Sequence, residues 1–286
     1  MSEKGRSTRH KWIGALRHHL VGVTASLLFL APLIWSILVS FKSSAEARQP
    51  PLPPWPVDGF STQNYETLAK FGTGIWTYAG NSLTVSAMTV LATVIISLLA
   101  GYGFSRFNFP FKNALFILII STVMIPFQSI LTPLFLILTK LGLQNSLFGI
   151  ACVYVTLQMP FSIFMMRNAF DAVPKEIEEA ARVDGASVLV VLRRIMLPLV
   201  LPGVATVAIF AFLASWNEFL AALIFLTDQK KYTLPVLMVA VRSGQFGSID
   251  WGAVQSGLTL MMAPCLVLFL FLQRYYIRGL TAGSVK

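Results

Sequence analysis

Residues 174–198 read Pro174-Lys-Glu-Ile-Glu-Glu179-Ala-Ala-Arg-Val-Asp184-Gly-Ala-Ser-Val-Leu-Val-Val-Leu-Arg-Arg-Ile195-Met-Leu-Pro198. The stretch encodes a helical hairpin by its own chemistry. Pro174 suits a first helical position, where a missing amide hydrogen costs nothing, and Glu176, Glu178 and Glu179 complement the positive end of the helix dipole. Gly185 ends the first arm as a left-handed cap. Ser187 is then placed to cap a second arm that runs on into apolar sequence. Ala180 and Ala181 leave one face of the first arm almost bare, so the backbone of another protein can approach closely.

On either side of the hairpin, residues 141–166 and 195–217 contain no Asp, Glu, Lys or Arg, and the same holds for 20–41, 71–105, 113–139 and 251–273. About 20 apolar residues suffice to cross a bilayer. The chain of 286 residues is 56% hydrophobic and 12% charged, against roughly 25% charged in soluble domains. No soluble domain of ordinary size fits in what remains. The expected fold is therefore an all-α membrane protein with six transmembrane helices. The first covers 20–41; a core of 77–273 holds the others, at about 82–105, 113–139, 143–166, 199–226 and 253–273, with the hairpin of 174–194 between the fourth and fifth.

The net charge of +10 would suit nucleic acid, but its distribution argues against that partner. With the N-terminus in the cytoplasm, segments 1–19, 106–112, 167–194 and 274–286 place 15 of the 22 Lys and Arg residues inside, and 7 fall outside. This is the positive-inside pattern. A basic tail (1–19) and a C-terminal tail (274–286) are thus both expected in the cytoplasm. The first apolar stretch has a basic flank like a secretory signal, yet it runs for 22 residues without an Ala-x-Ala cleavage site and is expected to stay as a helix. Cys152 and Cys265 fall inside apolar spans and read as small hydrophobes. His10, His18 and His19 have neither the spacing nor the cysteine partners of a metal site.

Residues 42–76 form an external connector, whose Pro50, Pro51, Pro53, Pro54 and Pro56 exclude helix. Tyr65, Leu68 and Ala69 then mark a short amphipathic surface helix. Asn81 and Ser82 are placed to cap the second span, and Gly101, Tyr102 and Gly103 to close it. Pro126 and Pro133 interrupt the third, freeing carbonyls that a bundle interior can satisfy.

The hairpin resembles the coupling loop of type I ABC importer permeases, in which Glu-Ala-Ala is followed after three residues by Gly and after nine more by Ile-x-Leu-Pro. Glu179, Ala180, Ala181, Gly185, Ile195, Leu197 and Pro198 meet every position of that pattern. Pro32, Ser40-Phe41-Lys42, Asn81-Ser82, Pro160 to Phe164, Trp216-Asn-Glu-Phe219 and Gln273 to Lys286 look like the carbohydrate-uptake branch, which includes the maltose transporter's second membrane subunit. The resemblance implies an importer of a sugar or sugar derivative in a bacterial inner membrane. Glu179, Ala180, Ala181, Asp184 and Gly185 would then couple this chain to an ATPase.

No Gly-x-x-x-x-Gly-Lys-Ser/Thr run occurs, so nucleotide phosphates have no P-loop cradle here. The resemblance places ATP and Mg in two copies of a separate ATPase subunit, beside a second homologous permease and beneath an external solute-binding protein. No catalytic residue and no bound cofactor are expected in this chain; its remaining partner is membrane lipid. The rival reading is a secondary transporter or channel for a small polar solute. Such proteins keep ionisable groups near the bilayer midplane, and Glu218, the one candidate, falls near the outer interface instead. Trp216 can stack on a sugar face while Asn217 and Glu218 bind hydroxyls; equally, Trp216 can anchor a helix at the interface. Gln128 and Gln158, polar groups in apolar spans, are further candidates for the substrate pathway.

Overall fold

A computed structural model describes the backbone of residues 3–47, 53–244 and 249–282, with side chains from 19 to 271 within those bounds. The elements in chain order are α1 (Glu3–Ser40), α2 (Ser44–Ala47), α3 (Gln63–Ala69), α4 (Ile75–Arg106), α5 (Lys112–Ser121), α6 (Phe127–Lys140), α7 (Leu147–Asp171), α8 (Lys175–Val183), α9 (Val188–Val190), a π-helical turn (Val191–Met196), α10 (Leu197–Asn217), α11 (Leu220–Phe225), α12 (Leu234–Arg242) and α13 (Trp251–Ala282). No strand occurs among the described residues. The segments long and apolar enough to cross a membrane are His19–Ser40, Ile75–Arg106, Leu147–Asp171, Val188–Asn217 and Trp251–Phe271. The chain is a multi-pass membrane protein.

A sixth segment, expected as a single span over 113–139, is a pair of helices, Lys112–Met124 and Phe127–Lys140, bent by 104°. The cause is Pro126. It drives Ile125 out of the helical region to φ −77°, ψ 119°, as a proline does to the residue before it. Pro133 stays inside α6 without ending it.

Other boundaries differ from the sequence reading for identifiable reasons. The basic tail is helical and continuous with the first span, since no proline interrupts residues 3–31. α7 begins at Leu147, because Gly142 and Asn145 take positive φ and Ser146 caps the helix through Gly149 N–H. It continues past Met166 to Asp171, since Arg167 marks the exit from apolar surroundings and not the end of a helix. α4 starts at Ile75, which puts Asn81 and Ser82 inside it. Only Ser82 caps, and it caps a different element. Asn81 Nδ2 donates to the carbonyls of Lys230 and Tyr232 at 2.8 and 2.9 Å, and Ser82 Oγ accepts the N–H of Leu234, the first residue of α12, at 2.8 Å.

Two compact units make up the chain. One comprises residues 1–71 and 240–262. Here Ser36 donates to Gln255 at 2.6 Å, joining α1 to α13. Lys42 is 1% exposed; its Nζ donates to Pro53 O at 2.7 Å and pairs with Glu46 at 3.2 Å. Burial raises the Glu46 pKa, but the Val57 N–H and Lys42 outweigh it and hold the carboxyl below its usual range. Asn64 gathers the chain at this point, donating to Ser40 O and Lys42 O and accepting from Ser44. The start of the connector is thereby tied to α3. In α3 the buried face is Asn64 and Leu68; Tyr65 is half-buried and Ala69 exposed, so the stripe is shifted from the expected one. Pro50, Pro51 and the last four residues lie outside the described residues.

The other unit comprises 72–239 and 263–286, and α4, α7 and α10 pack on one another within it. The buried face of α4 is a run of small residues, Ser82, Ser86, Thr89, Thr93, Ser97, Gly101 and Ser105. Each is three or four residues from the next, as one helix face requires, and small side chains let membrane helices approach closely. Gly101 is the tightest point: a Cβ there would sit 2.5 Å from Met166 Cβ and 2.9 Å from the α7 backbone.

Candidate functional site

α8 and α9 form the hairpin, and its turn follows directly from Gly185. At φ +83° this glycine adopts the left-handed conformation. Its N–H bonds Arg182 O at 3.0 Å, and the N–H of Ala186 bonds Ala181 O at 3.0 Å. These two bonds are the paired closure of a Schellman cap. Pro174 stands just before the first helical residue, with ψ 137°, so it caps the helix and is not its first residue. Ser187 occupies the cap position of α9 without a side-chain bond to it.

The two alanines part company. Ala180 is exposed, while Ala181 is buried among Tyr102, Met166, Phe170, Val191, Leu192 and Met196. The small residue at 181 therefore draws the arms of the hairpin onto α4 and α7, and is not open to a partner. The outward face carries Glu179, Ala180, Asp184 and Gly185, together with Val183, which is 87% exposed.

Sequence reasoning missed the residue that fixes the hairpin. Glu178, read as a dipole partner, is 4% exposed and forms the centre of a charged cluster. Its Oε1 accepts from Tyr102 Oη and Arg182 Nη2, both at 2.6 Å, and its Oε2 lies 3.0 Å from Arg106 Nε. Arg106 also donates to Phe170 O and Val173 O at 2.9 and 2.7 Å, tying α4 to the end of α7. Ser105 donates to Asp171 at 2.6 Å. The Tyr102 hydroxyl first, and the Glu178 carboxylate second, raise the Arg182 pKa, so the guanidinium stays charged. The only signal in the sequence is that Tyr102 and Arg106 are four apart, on one helix face.

At the far end of α10 the helix stops at Asn217, and Glu218 turns extended at ψ 130°. Expected as one span over 199–226, this segment is broken, and the Glu218 carboxylate accounts for the break. It accepts from Ala221 N–H at 2.9 Å and Ala222 N–H at 3.3 Å, capping α11, and from Tyr154 Oη at 2.5 Å. Trp216 is 3% exposed and stacks on Phe212, ring centroids 5.4 Å apart. Asn217 is exposed and donates to Leu213 O at 2.8 Å. Gln128, on α6, is exposed and Gln158, on α7, half-buried. Of these five residues, Trp216, Asn217 and Glu218 share one helix end; Gln128 and Gln158 stand on other helices.

A Trp216→Ala variant is expected to lose about 3–5 kcal/mol of stability by emptying a filled site. A fall in the melting temperature of the detergent-solubilised protein checks this; an unchanged melt would mean that the ring does not pack the helix end.

Residues 93–282 match the family described as binding-protein-dependent transport system inner membrane component. The chain belongs to this family. The permease is 34% identical, over 92% of its length and 94% of the relative's, to the trehalose/maltose transport system permease protein MalG of Thermococcus litoralis. It is 31% identical, over 92% and 95%, to the diacetylchitobiose uptake system permease protein DasC of Streptomyces coelicolor. Its fold matches a chain of a bacterial ABC transporter involved in import of the acidic polysaccharide alginate, with a TM-score of 0.78 at 24% identity over 93% of the permease and 97% of that chain. The architecture is that of a type I ABC importer transmembrane subunit, a transport subunit of its complex.

Proposed function

We propose that this permease imports a sugar or sugar derivative, with energy from ATP hydrolysed in a separate ATPase. The hairpin carries the reading: an exposed contact face on α8, held to the membrane helices by a buried ion cluster, is what a subunit driven from outside needs. Glu179, Ala180, Asp184 and Gly185 form the docking face, and Ala181 sets the hairpin's seat. Two ATPase copies bind ATP and Mg beneath this chain and a second homologous permease. An external solute-binding protein delivers the substrate, and the saccharides in the relatives' names support its chemical class. The break at Trp216, Asn217 and Glu218, with Gln128 and Gln158, is the proposed substrate pathway. In it Glu218 and Trp216 shape the wall, and Asn217 offers an amide to hydroxyls.

The decisive experiment reconstitutes the whole complex in proteoliposomes and follows labelled maltose, chitobiose and arabino-oligosaccharides. Uptake should need both ATP and the binding protein. Uptake driven by an ion gradient alone would replace this reading with a secondary transporter.

Both termini and the hairpin face the cytoplasm of the inner membrane in this reading, on the strength of the charge split. A single cysteine replacing exposed Ser187 should resist an impermeant maleimide added to intact cells and react once the cells are opened. Labelling from outside would invert the topology.

A further inference from the structure

The first span changes character along its length. Leu27, Leu28 and Phe29 are exposed, as on a helix that meets lipid, whereas Val39 and Ser40 at its end are buried. There the chain folds back on the helix end. Ser40 Oγ meets Tyr65 Oη at 2.8 Å, Ser61 N–H donates to Phe41 O at 2.8 Å, the Phe41 and Phe60 rings meet edge to face at 6.1 Å, and Lys42 Nζ reaches Pro53 O at 2.7 Å. Residues 53–61 are thereby held beside the end of the His19–Ser40 span, at the depth where that helix leaves the hydrocarbon. Their outward side is apolar: Trp55, Val57 and Phe60 are 59%, 65% and 77% exposed. The backbone here suits surroundings poor in water. Pro53, Pro54 and Pro56 carry no N–H, while Glu46 Oε1 accepts from Val57 N–H at 3.0 Å and Phe41 O from Ser61 N–H. Five of these nine residues thus leave no donor to be met by water, which a low-water layer demands. Lys42 fits the same picture. A lysine near water extends its amine to it, but this one is 1% exposed and is neutralised in place by Glu46 at 3.2 Å. Asp58 is exposed and limits the depth, since a carboxylate is costly in hydrocarbon.

We infer that residues 53–61 are a membrane-interface anchor, in which Trp55, Val57 and Phe60 enter the headgroup layer of the lipid around the first span. Aromatic rings favour that layer, and an indole does so because its body is apolar while its N–H keeps a polar partner. The occupant follows from continuity. Lipid that meets Leu28 and Phe29 along the span presents its headgroups at the helix end, where this patch is held. The anchor acts in whichever leaflet the span ends and needs neither substrate nor ATPase, so it stands apart from the proposed transport role. It fixes the depth of the first span, which the long apolar run of α1 alone leaves free to slide.

The test uses the complete complex in nanodiscs. The emission of the wild type minus that of Trp55→Phe isolates the Trp55 indole, and phosphatidylcholine brominated either near the headgroup or near the chain end serves as the quencher. Shallow bromines should quench the difference emission roughly twofold more than deep ones. No quenching, or quenching by deep bromines as strong as by shallow ones, overturns the inference. Nitroxides at Val57→Cys and Phe60→Cys, with Cys152 and Cys265 replaced by Ala, then separate lipid from a protein cover. Oxygen concentrates in lipid and a nickel chelate stays in water. The oxygen-to-nickel collision ratio at both positions should fall between that at Leu28→Cys, exposed within the span, and that at Glu66→Cys, exposed on α3. A ratio equal to that of Glu66→Cys places the patch in water, and one equal to that of Leu28→Cys places it in hydrocarbon; either overturns the inference. Exclusion of both reagents also overturns it, in favour of a cover by the second permease or the solute-binding protein.

Discussion

Gly185→Asp is expected to disconnect ATP hydrolysis from transport, lowering uptake by about tenfold or more while the permease still inserts and folds. Two contributions add. The first is conformational: at φ +83° a side chain with a Cβ costs roughly 1–2 kcal/mol, and Asp is among the residues that tolerate the position best. That is too little to unfold the chain. The second acts on the partner. A Cβ at 185 meets nothing within 4 Å in this chain, so the new carboxylate would project from the proposed docking face toward the ATPase. Gly185→Asn separates the two, since it imposes the same backbone demand without the charge. ATPase retention on purification, and hydrolysis stimulated by substrate-loaded binding protein, are the measurements. Full assembly and coupling in the Asp variant would remove the hairpin from the mechanism.

The second large effect is expected from a single methyl group. Gly101→Ala should destabilise the permease by about 1–3 kcal/mol, the usual cost of overpacking, and towards the upper end. The added carbon would lie 2.5 Å from Met166 Cβ and 2.9 Å from backbone atoms of Met166 and Arg167. No rotamer change relieves a clash with backbone, so α4 and α7 must separate near the Arg106 junction. Gly103, two residues on, has open space at its Cβ position. There the same substitution should be neutral or slightly stabilising, because alanine restricts the unfolded chain. Fluorescence-detected gel filtration after a temperature ramp compares the pair; equal melting curves would mean that the helices part freely at Gly101.

The features legible in the sequence are those that lie within a few residues of their cause. The left-handed turn at Gly185 and the apolar spans need only local chemistry. Glu178 escapes because its partners Tyr102 and Arg106 lie more than 70 residues away, and an adequate local explanation, the helix dipole, is already at hand. Ser82 does act as a capping residue, but propensity does not say whose N-terminus is capped, and Asn81 donates to carbonyls instead. Pro126 and Pro133 look alike in sequence; only the first coincides with an extended preceding residue and breaks its helix. Trp216 stands out in sequence for what an exposed indole can do, and its burial against Phe212 is a tertiary outcome invisible from its neighbours.

The cap on α12 bears on how the chain is made. Ser82, which closes the first turn of that helix, leaves the ribosome 152 residues before Leu234 does. Until α4 lies alongside, the Leu234 amide has no acceptor from Ser82, and the Asn81 bonds to Lys230 and Tyr232 are missing too. Contacts so distant along the chain form late, since the loop between them must close first. Residues 229–239 therefore gain these bonds only once α4 lies beside them. A nascent chain stalled before α4 has docked would present residues 229–239 as a protease-sensitive tether.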